Sequence, residues 1–284
     1  MDGTESGGIV IETGSPPMFS SPIKMYGNIK KHRNLVNLMV HRDFKLKYHE
    51  SIIGYGWTLV EPLVMTAVFY LLFAILSTSV DPYRPLHIMI GFLTWYYFQR
   101  TIAGFTTTFQ SRSGLIQVVY FPREIFLFSN VLFNAIVMIM SLLVVIPMLL
   151  YYGLLPNWRI ILLPYSMLMI GLLASGIGFF TSIIQVRIKD VEHVVNLGTR
   201  IMFFLSPVFF TLETMSRVPD QFLNAYLYVN PMAVYLTMVR SSFTGIPIGI
   251  GPSHIISAFI VSVLIFYFGS IFFMRNERKA VKYL

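Results

Sequence analysis

Two charged residues stand inside long apolar runs of the sequence: Glu61 near the start of one run and Arg100 within another. A charge in an apolar environment is costly, and it usually faces a cavity or pairs with a partner. Such a carboxylate could carry a proton in a secondary transporter, or it could have a purely structural role near the membrane interface. Both interpretations stay open at this point.

Other signatures of catalysis or metal binding are missing from the sequence. There is no G-x-x-x-x-G-K-[ST] element, so the chain has no phosphate-binding loop of its own and a partner would have to bind any nucleotide. The six histidines are dispersed, no H-E-x-x-H occurs and cysteine is absent, so we expect neither a metal site nor thiol chemistry. The stretch Ile53-Gly54-Tyr55-Gly56 resembles a potassium-channel filter, but it precedes the first apolar run on the basic side and is interpreted as a turn.

The composition is that of an integral membrane protein. Of the 284 residues, 55% are hydrophobic and only 12% are charged, whereas a soluble domain has about 25% charged residues. This excludes a soluble globule, a disordered chain and a disulfide scaffold. The net charge of +8 is assigned to cytoplasmic loops rather than to nucleic-acid binding, so we expect no nucleic-acid partner.

Six apolar segments are long enough to be transmembrane helices, which need about 20 residues. The predicted spans are Thr58–Leu76, Leu86–Phe109, Ile125–Leu150, Ile160–Ile184, Leu197–Leu212 and His254–Phe273. With a cytoplasmic N-terminus, 16 of the 21 Lys and Arg residues lie inside, 4 lie outside and Arg100 lies within a span. The chain is therefore predicted to be a multi-pass protein of the cell membrane with both termini cytoplasmic.

The predicted architecture is all-α and has three parts. Residues 1–21 are predicted to be a disordered cytoplasmic tail, residues 22–57 an amphipathic interface segment and residues 58–284 a six-span transmembrane domain. Within the interface segment, residues 35–48 mix apolar and basic positions, as a helix on the inner membrane surface does. Before the last span, two short apolar stretches flank Asn230-Pro231, which predicts a pair of re-entrant helices packed inside the bundle.

Two further patterns concern packing. In the fourth span, small residues recur at a spacing that permits close helix approach, namely Gly171, Ala174, Ser175, Gly178 and Ser182. Aromatic residues also recur along several spans. They fit either ordinary packing and interfacial belts or a lumen on whose ring faces sugars stack.

Three passages together resemble the permease subunits of type-2 ABC exporters for polysaccharide, O-antigen or teichoic acid. They are Arg42-Asp43-Phe44-Lys45-Leu46-Lys47-Tyr48 with Ile53-Gly54, Trp57 and Glu61-Pro62; Leu115 to Glu124; and Arg187-Ile188-Lys189-Asp190-Val191 through Ser206-Pro207 to Asn230-Pro231. Their spacing matches the family over roughly residues 25–280. Each passage by itself would be a weak signal.

The resemblance implies a homodimer paired with two copies of a separate ATP-binding cassette subunit, which would bind ATP and Mg²⁺ and hydrolyse the ATP. This chain would then be a transport subunit with no enzymatic activity and no cofactor of its own. The cargo would be a lipid-linked polysaccharide or cell-envelope glycan moved outward, in contact with membrane lipid.

The resemblance, together with the residue types, assigns candidate roles. The residues expected to couple to the ATPase are Arg42, Asp43, Arg112, Tyr120, Pro122, Arg123, Glu124, Lys189 and Asp190. Those expected on the substrate path are Tyr70, Trp95, Tyr97, Arg100 and Phe209, with Tyr55, Trp57 and Glu61 at a lateral gate. Asn230 and Pro231 belong to the re-entrant pair.

Two alternatives from other functional classes remain. A proton-coupled secondary transporter would use Glu61 and Arg100, and its transport would be abolished by an uncoupler but indifferent to a missing ATPase. A non-transporting membrane scaffold would keep its function when any polar residue within the spans is replaced.

Overall fold

The computed structural model describes residues 21–48, 51–76, 81–114, 122–155, 157–215 and 218–282. Regular structure within these ranges is helical, as the sequence predicts. The α-helices are α1 (Ser21–Lys31), α2 (Arg33–Tyr48), α3 (Trp57–Leu76), α4 (Arg84–Ser111), α5 (Glu124–Leu142), α6 (Val145–Tyr151), α7 (Leu162–Arg187), α8 (Val191–Leu205), α9 (Asp220–Val229), α10 (Pro231–Thr244) and α11 (Pro252–Val281). Short 3₁₀ turns at Gly54–Gly56, Trp158–Ile161 and Leu212–Met215 join some of them.

Four stretches of the described residues are long and apolar enough to cross a membrane: Gly54–Ile75, Glu124–Tyr151, Trp158–Arg187 and Pro252–Ala280. They contain α3, α5 with α6, α7 and α11, and they coincide with four of the six predicted spans. The other two predicted spans coincide with α4, of 28 residues, and α8, of 15 residues. For these two helices, the crossing remains a prediction.

The third of the predicted spans is interrupted. Pro147 has no backbone N–H to donate to the carbonyl of Leu143, and the helix breaks into α5 and α6 at Leu143 and Val144. Backbone N–H groups there bond three residues back instead, as from Ile146 to Leu143. The stretch remains a single apolar rod of 28 residues.

The central helix is α4, which contacts α3, α5, α7, α8 and α10. Several of its threonines are fully buried, and their hydroxyls donate to the carbonyl four residues earlier: Thr94 to Ile90, Thr101 to Tyr97 and Thr106 to Ile102. Because each hydroxyl is satisfied by its own helix, α4 can be less apolar than its neighbours and still lie in the interior.

The small residues of α7 bring neighbouring helices close together. A Cβ atom on Gly176 would lie 2.6 Å from the backbone of Ile265 in α11, and one on Gly178 would lie 2.5 Å from Phe105 in α4. Across the same contact, a Cβ on Gly269 of α11 would overlap the carbonyl of Gly176. The backbones of α7 and α11 are therefore in direct contact, which the absence of a Cβ atom at these glycines permits.

Side-chain bonds identify the two ends of the bundle. Gln110 lies 3.5 Å from Gln185, Arg123 lies 3.9 Å from Glu277 and Asn28 lies 2.7 Å from Glu124. We call this the basic end; it comprises α1, α2, residues 110–112, 122–124 and 185–190, and the last two turns of α11. The start of α4, the connection after α8 and the helices α9 and α10 lie toward the opposite end.

The predicted pair of short helices before the last span is present, with the break at Asn230-Pro231. Helix α10 is buried along most of its length, whereas α9 is largely exposed. The Asn230 side chain caps α10 by accepting from the Ala233 N–H, and Pro231 occupies the first helical position.

We expect Gly269→Ala to destabilise the protein by about 1–3 kcal/mol, because the added methyl group pushes α7 and α11 apart. Thermal unfolding in detergent measures this effect. The matched control is Gly27→Ala on α1, where the new Cβ would have nothing within 4 Å. A Gly269→Ala protein as stable as the Gly27→Ala protein would contradict this account of the contact.

Candidate functional site

At the basic end, α2 is fastened to α4 and α5 by a buried ion pair. The Arg112 guanidinium donates to Asp43 Oδ2 at 2.5 Å and to Ser129 Oγ at 3.3 Å, and it lies over the ring of Phe126. The two charged side chains are only 10% and 16% exposed. Burial lowers the pKa of Arg112, and the adjacent Asp43 carboxylate opposes that shift.

The Pro122-Arg123-Glu124 element begins α5 and joins two further helices. Glu124 is 2% exposed and accepts a hydrogen bond from Asn28 Nδ2 of α1 at 2.7 Å. Arg123 Nη1 lies 3.9 Å from Glu277 Oε1 of α11. The start of α5 is thus the meeting point of α1 and α11, the first and last helices of the described residues.

The remaining residues expected to couple to the ATPase are more exposed. Lys189 and Asp190 lie on the surface, in the turn between α7 and α8. The buried Gln185 holds this turn by donating to the Lys189 carbonyl and accepting from the Glu192 N–H. Arg42 is half-buried beside Met39, and Tyr120 lies outside the described residues.

Glu61 and Arg100 form an ion pair between α3 and α4. Arg100 Nη2 donates to Glu61 Oε2 at 2.7 Å, and its guanidinium lies 5.0 Å from the ring centre of Tyr96. Both side chains are partly accessible, at 31% and 44%. Each charge therefore has a partner of opposite sign, and the ion pair is accessible at the surface of the subunit.

Of the residues expected at a lateral gate, Trp57 lies one helical turn before Glu61 on α3, and Tyr55 lies in the turn before that helix. Tyr55 and Trp57 are each 49% exposed, in and just after the turn that leads into α3. The turn begins at Gly54, whose φ of 55° is one that L side chains rarely adopt. Tyr55 also contacts Phe44 of α2, with ring centres 6.0 Å apart.

The aromatic residues expected on the substrate path divide into interior and surface positions. Phe209 stacks on Phe69 at 4.2 Å, and Trp95 packs against Phe203 at 5.8 Å. Trp95 and Tyr97 are 0% and 4% exposed, so they lie within the subunit. Tyr70, by contrast, is 43% exposed on α3.

Toward the opposite end, Arg240 of α10 secures the connection after α8. It is 5% exposed and donates to the carbonyls of His87, Val208 and Phe210 at 3.2, 2.6 and 2.7 Å. In this way a single guanidinium satisfies two carbonyls of irregular backbone, those of Val208 and Phe210, and links them to the first turn of α4 through His87. Asn230 supports the same connection by donating to Ser206 Oγ at 3.0 Å.

Four residues that organise these contacts are not among the predicted site residues: Asn28, Gln185, Arg240 and Glu277. Gln185, Arg240 and Glu277 lie in or beside apolar sequence, and a polar or charged residue there indicates a partner inside the protein. The sequence does not reveal which partner each would find. Across the described ranges, no three His, Asp or Glu side chains are grouped as metal ligands.

We expect Asp43→Asn to destabilise the protein by about 3 kcal/mol, because it leaves the buried Arg112 charge without its counter-ion. The melting temperature in detergent and the rate of proteolysis within α2 measure the change. Asp190→Asn is the matched control, since Asp190 is exposed and its side chain makes no capping hydrogen bond. Equal melting temperatures for the two variants would show that the buried pair does not hold α2.

Comparison with known proteins covers nearly the whole chain. The chain is 26% identical over 258 residues to the O-antigen export system permease protein RfbA of Myxococcus xanthus, covering 91% of this chain and 98% of that protein. A protein of the same name from Klebsiella pneumoniae is 24% identical over 225 residues, or 78% of this chain and 84% of its own length. Residues 34–244 match the family described as ABC-2 type transporter, and the chain therefore belongs to that family.

Proposed function

We propose that this chain is the membrane-spanning subunit of an ATP-driven exporter that moves a lipid-linked polysaccharide outward across the cell membrane. The observation that carries the proposal is the similarity to an O-antigen export permease over 91% of this chain and 98% of that relative. A chain similar to a permease over that extent, without a phosphate-binding loop, requires a separate subunit to bind ATP and Mg²⁺.

The basic end is the proposed docking surface for that ATP-binding cassette subunit. Lys189 and Asp190 are exposed there, and the start of α5 connects to both α1 and α11. A push on residues 122–124 would therefore move several helices together. Lys and Arg collect on the cytoplasmic side of membrane proteins, which supports a cytoplasmic location for this end and for both termini.

A second copy of the chain is the proposed partner within the membrane. Helix α8 exposes an apolar stripe that includes Val194, Leu197, Ile201 and Phe204. Its 15 residues span about 22 Å, which is shorter than the hydrocarbon core of about 30 Å. Such a short helix is better covered by protein than by lipid. Helix α3 also has an exposed apolar face, so these two helices are the proposed contact between copies.

The substrate path is proposed to run along the exposed side of α3 and α8. Tyr70 would offer a ring face to the sugars, and Phe209, Trp95 and Tyr97 would support the wall from behind. Tyr55, Trp57 and the Glu61–Arg100 pair would lie where the glycan leaves the basic end. Arg100 would attract a phosphate group of the cargo when its bond to Glu61 opens.

The Glu61–Arg100 pair is also what a proton-coupled transporter would use, so the energy source needs a direct test. The tagged chain is expressed with its neighbouring genes and purified in mild detergent. We expect an ATP-binding subunit to co-purify in equal amount, two copies of each per complex, and to hydrolyse ATP. Export in vesicles should continue when an uncoupler removes the proton gradient. A lone chain that transports only under a proton gradient would overturn the proposal.

For the coupling surface, we expect Arg123→Ala together with Glu124→Ala to reduce glycan-stimulated ATP hydrolysis and export about tenfold, a loss of about 1.4 kcal/mol. The substitutions disconnect α5 from α11 and α1. The matched control is Arg275→Ala, which removes an exposed arginine from the same end of α11. Unchanged export with a normally assembled complex would show that this element does not transmit the ATPase stroke.

A further inference from the structure

A cavity of about 280 Å³ lies between α1 and the bundle, and Tyr97 is the one proposed substrate-path residue that lines it. Its walls come from α1, α4, α5, α7 and α11 and are mostly apolar. Its lining includes Met25, Tyr26, Tyr97, Glu124, Leu172 and Phe179. None of the functions considered above accounts for this space.

The cavity is long and follows the helix axes. On α7 it is lined by Leu168, Leu172, Ser175 and Phe179, which share one face of that helix. At 1.5 Å per residue this stretch is about 16 Å long. That length is close to half of the hydrocarbon core of about 30 Å, and hence to the depth of one leaflet. Glu124 marks the end of the cavity that is nearest the basic end.

The cavity opens toward the surroundings of the subunit rather than into its interior. Tyr26 and Leu168 at its rim are 68% and 62% exposed, whereas Met25 beneath α1 is 4% exposed. An apolar space of this kind does not hold water well, and leaving it empty would sacrifice the dispersion contacts of its walls. An apolar chain from the surrounding bilayer can enter through the rim.

The helix that covers the cavity is basic. Lys24, Lys30 and Lys31 lie on α1, which contains no acidic residue. Lys30 and Lys31 are exposed. Basic residues at a membrane surface attract anionic headgroups.

We propose that this cavity binds one acyl chain of an anionic glycerophospholipid, with the phosphate of that lipid held beside α1. An acyl chain that spans one leaflet has the length of this cavity, and the positive charge of α1 favours an anionic headgroup. A bound lipid would hold α1 against α5 and α7, and thereby support the Asn28–Glu124 bond. The proposal does not depend on which molecule the protein transports or on its source of energy.

The test is native mass spectrometry of the full-length chain, with its partner subunit if that co-purifies, titrated with phosphatidylglycerol. We expect one tightly bound lipid per chain in the unmodified protein. Leu172→Trp fills the slot and should weaken that binding about tenfold. The matched control, Leu264→Trp, places the same bulk on the exposed side of α11 and should bind like the unmodified protein. Equal binding by both variants, with both eluting as folded complexes, would overturn the proposal.

Two further experiments test which headgroup is preferred and which molecule occupies the cavity. Replacing Lys24, Lys30 and Lys31 with Gln should abolish the preference for phosphatidylglycerol over phosphatidylcholine; an unchanged preference would refute the role of α1.

A chain without residues 2–20 should bind phosphatidylglycerol as the full chain does. Binding only after that truncation would mean that residues 2–20 occupy the slot, and binding of polyprenyl phosphate alone would assign it to the cargo. Either result would overturn the proposal.

Discussion

A polar or charged group in the hydrocarbon core has no water to bond to, and the interior of this bundle is organised around that constraint. Helix α4 satisfies its threonine hydroxyls with its own carbonyls. Where the backbone leaves helical geometry after α8, the Arg240 guanidinium supplies the missing donors. Irregular backbone is thus found at the depth of α10 because a buried cation and Asn230 support it.

The same rule gives the basic end its rigidity. Three of its internal bonds join elements that are far apart in the sequence: Asn28 with Glu124, Asp43 with Arg112, and Arg123 with Glu277. Because these side chains are largely buried, separating the elements would expose unpaired charge. The proposed ATPase surface is therefore a connected layer that includes α1 and α11, and not a set of independent loops.

Much of this architecture can be predicted from the sequence, because a membrane helix is recognised from the length and the polarity of a single segment. The first predicted span, Thr58–Leu76, is almost identical to α3 (Trp57–Leu76), and the break at Asn230-Pro231 is where the proline indicates it. The rotation of each helix is harder to predict, because the apolar residues of spans such as α3 are spread around the whole helix. For that reason the sequence does not distinguish the interior Trp95 from the accessible Tyr70. The partners of Asn28, Gln185 and Glu277 also depend on packing between distant segments.

Helix α3 is the least buried of the four candidate spans found in the described residues. Its polar links to the rest of the subunit include the Glu61–Arg100 pair and the Thr58 carbonyl, which accepts from Ser141; farther along, Phe69 stacks on Phe209. A helix that makes few buried contacts with the rest of its subunit loses little apolar contact when it tilts. To tilt away from the subunit, α3 would have to break few polar contacts: the Glu61–Arg100 pair near its start and the Ser141–Thr58 bond, while the Phe69–Phe209 stack lies farther along the helix.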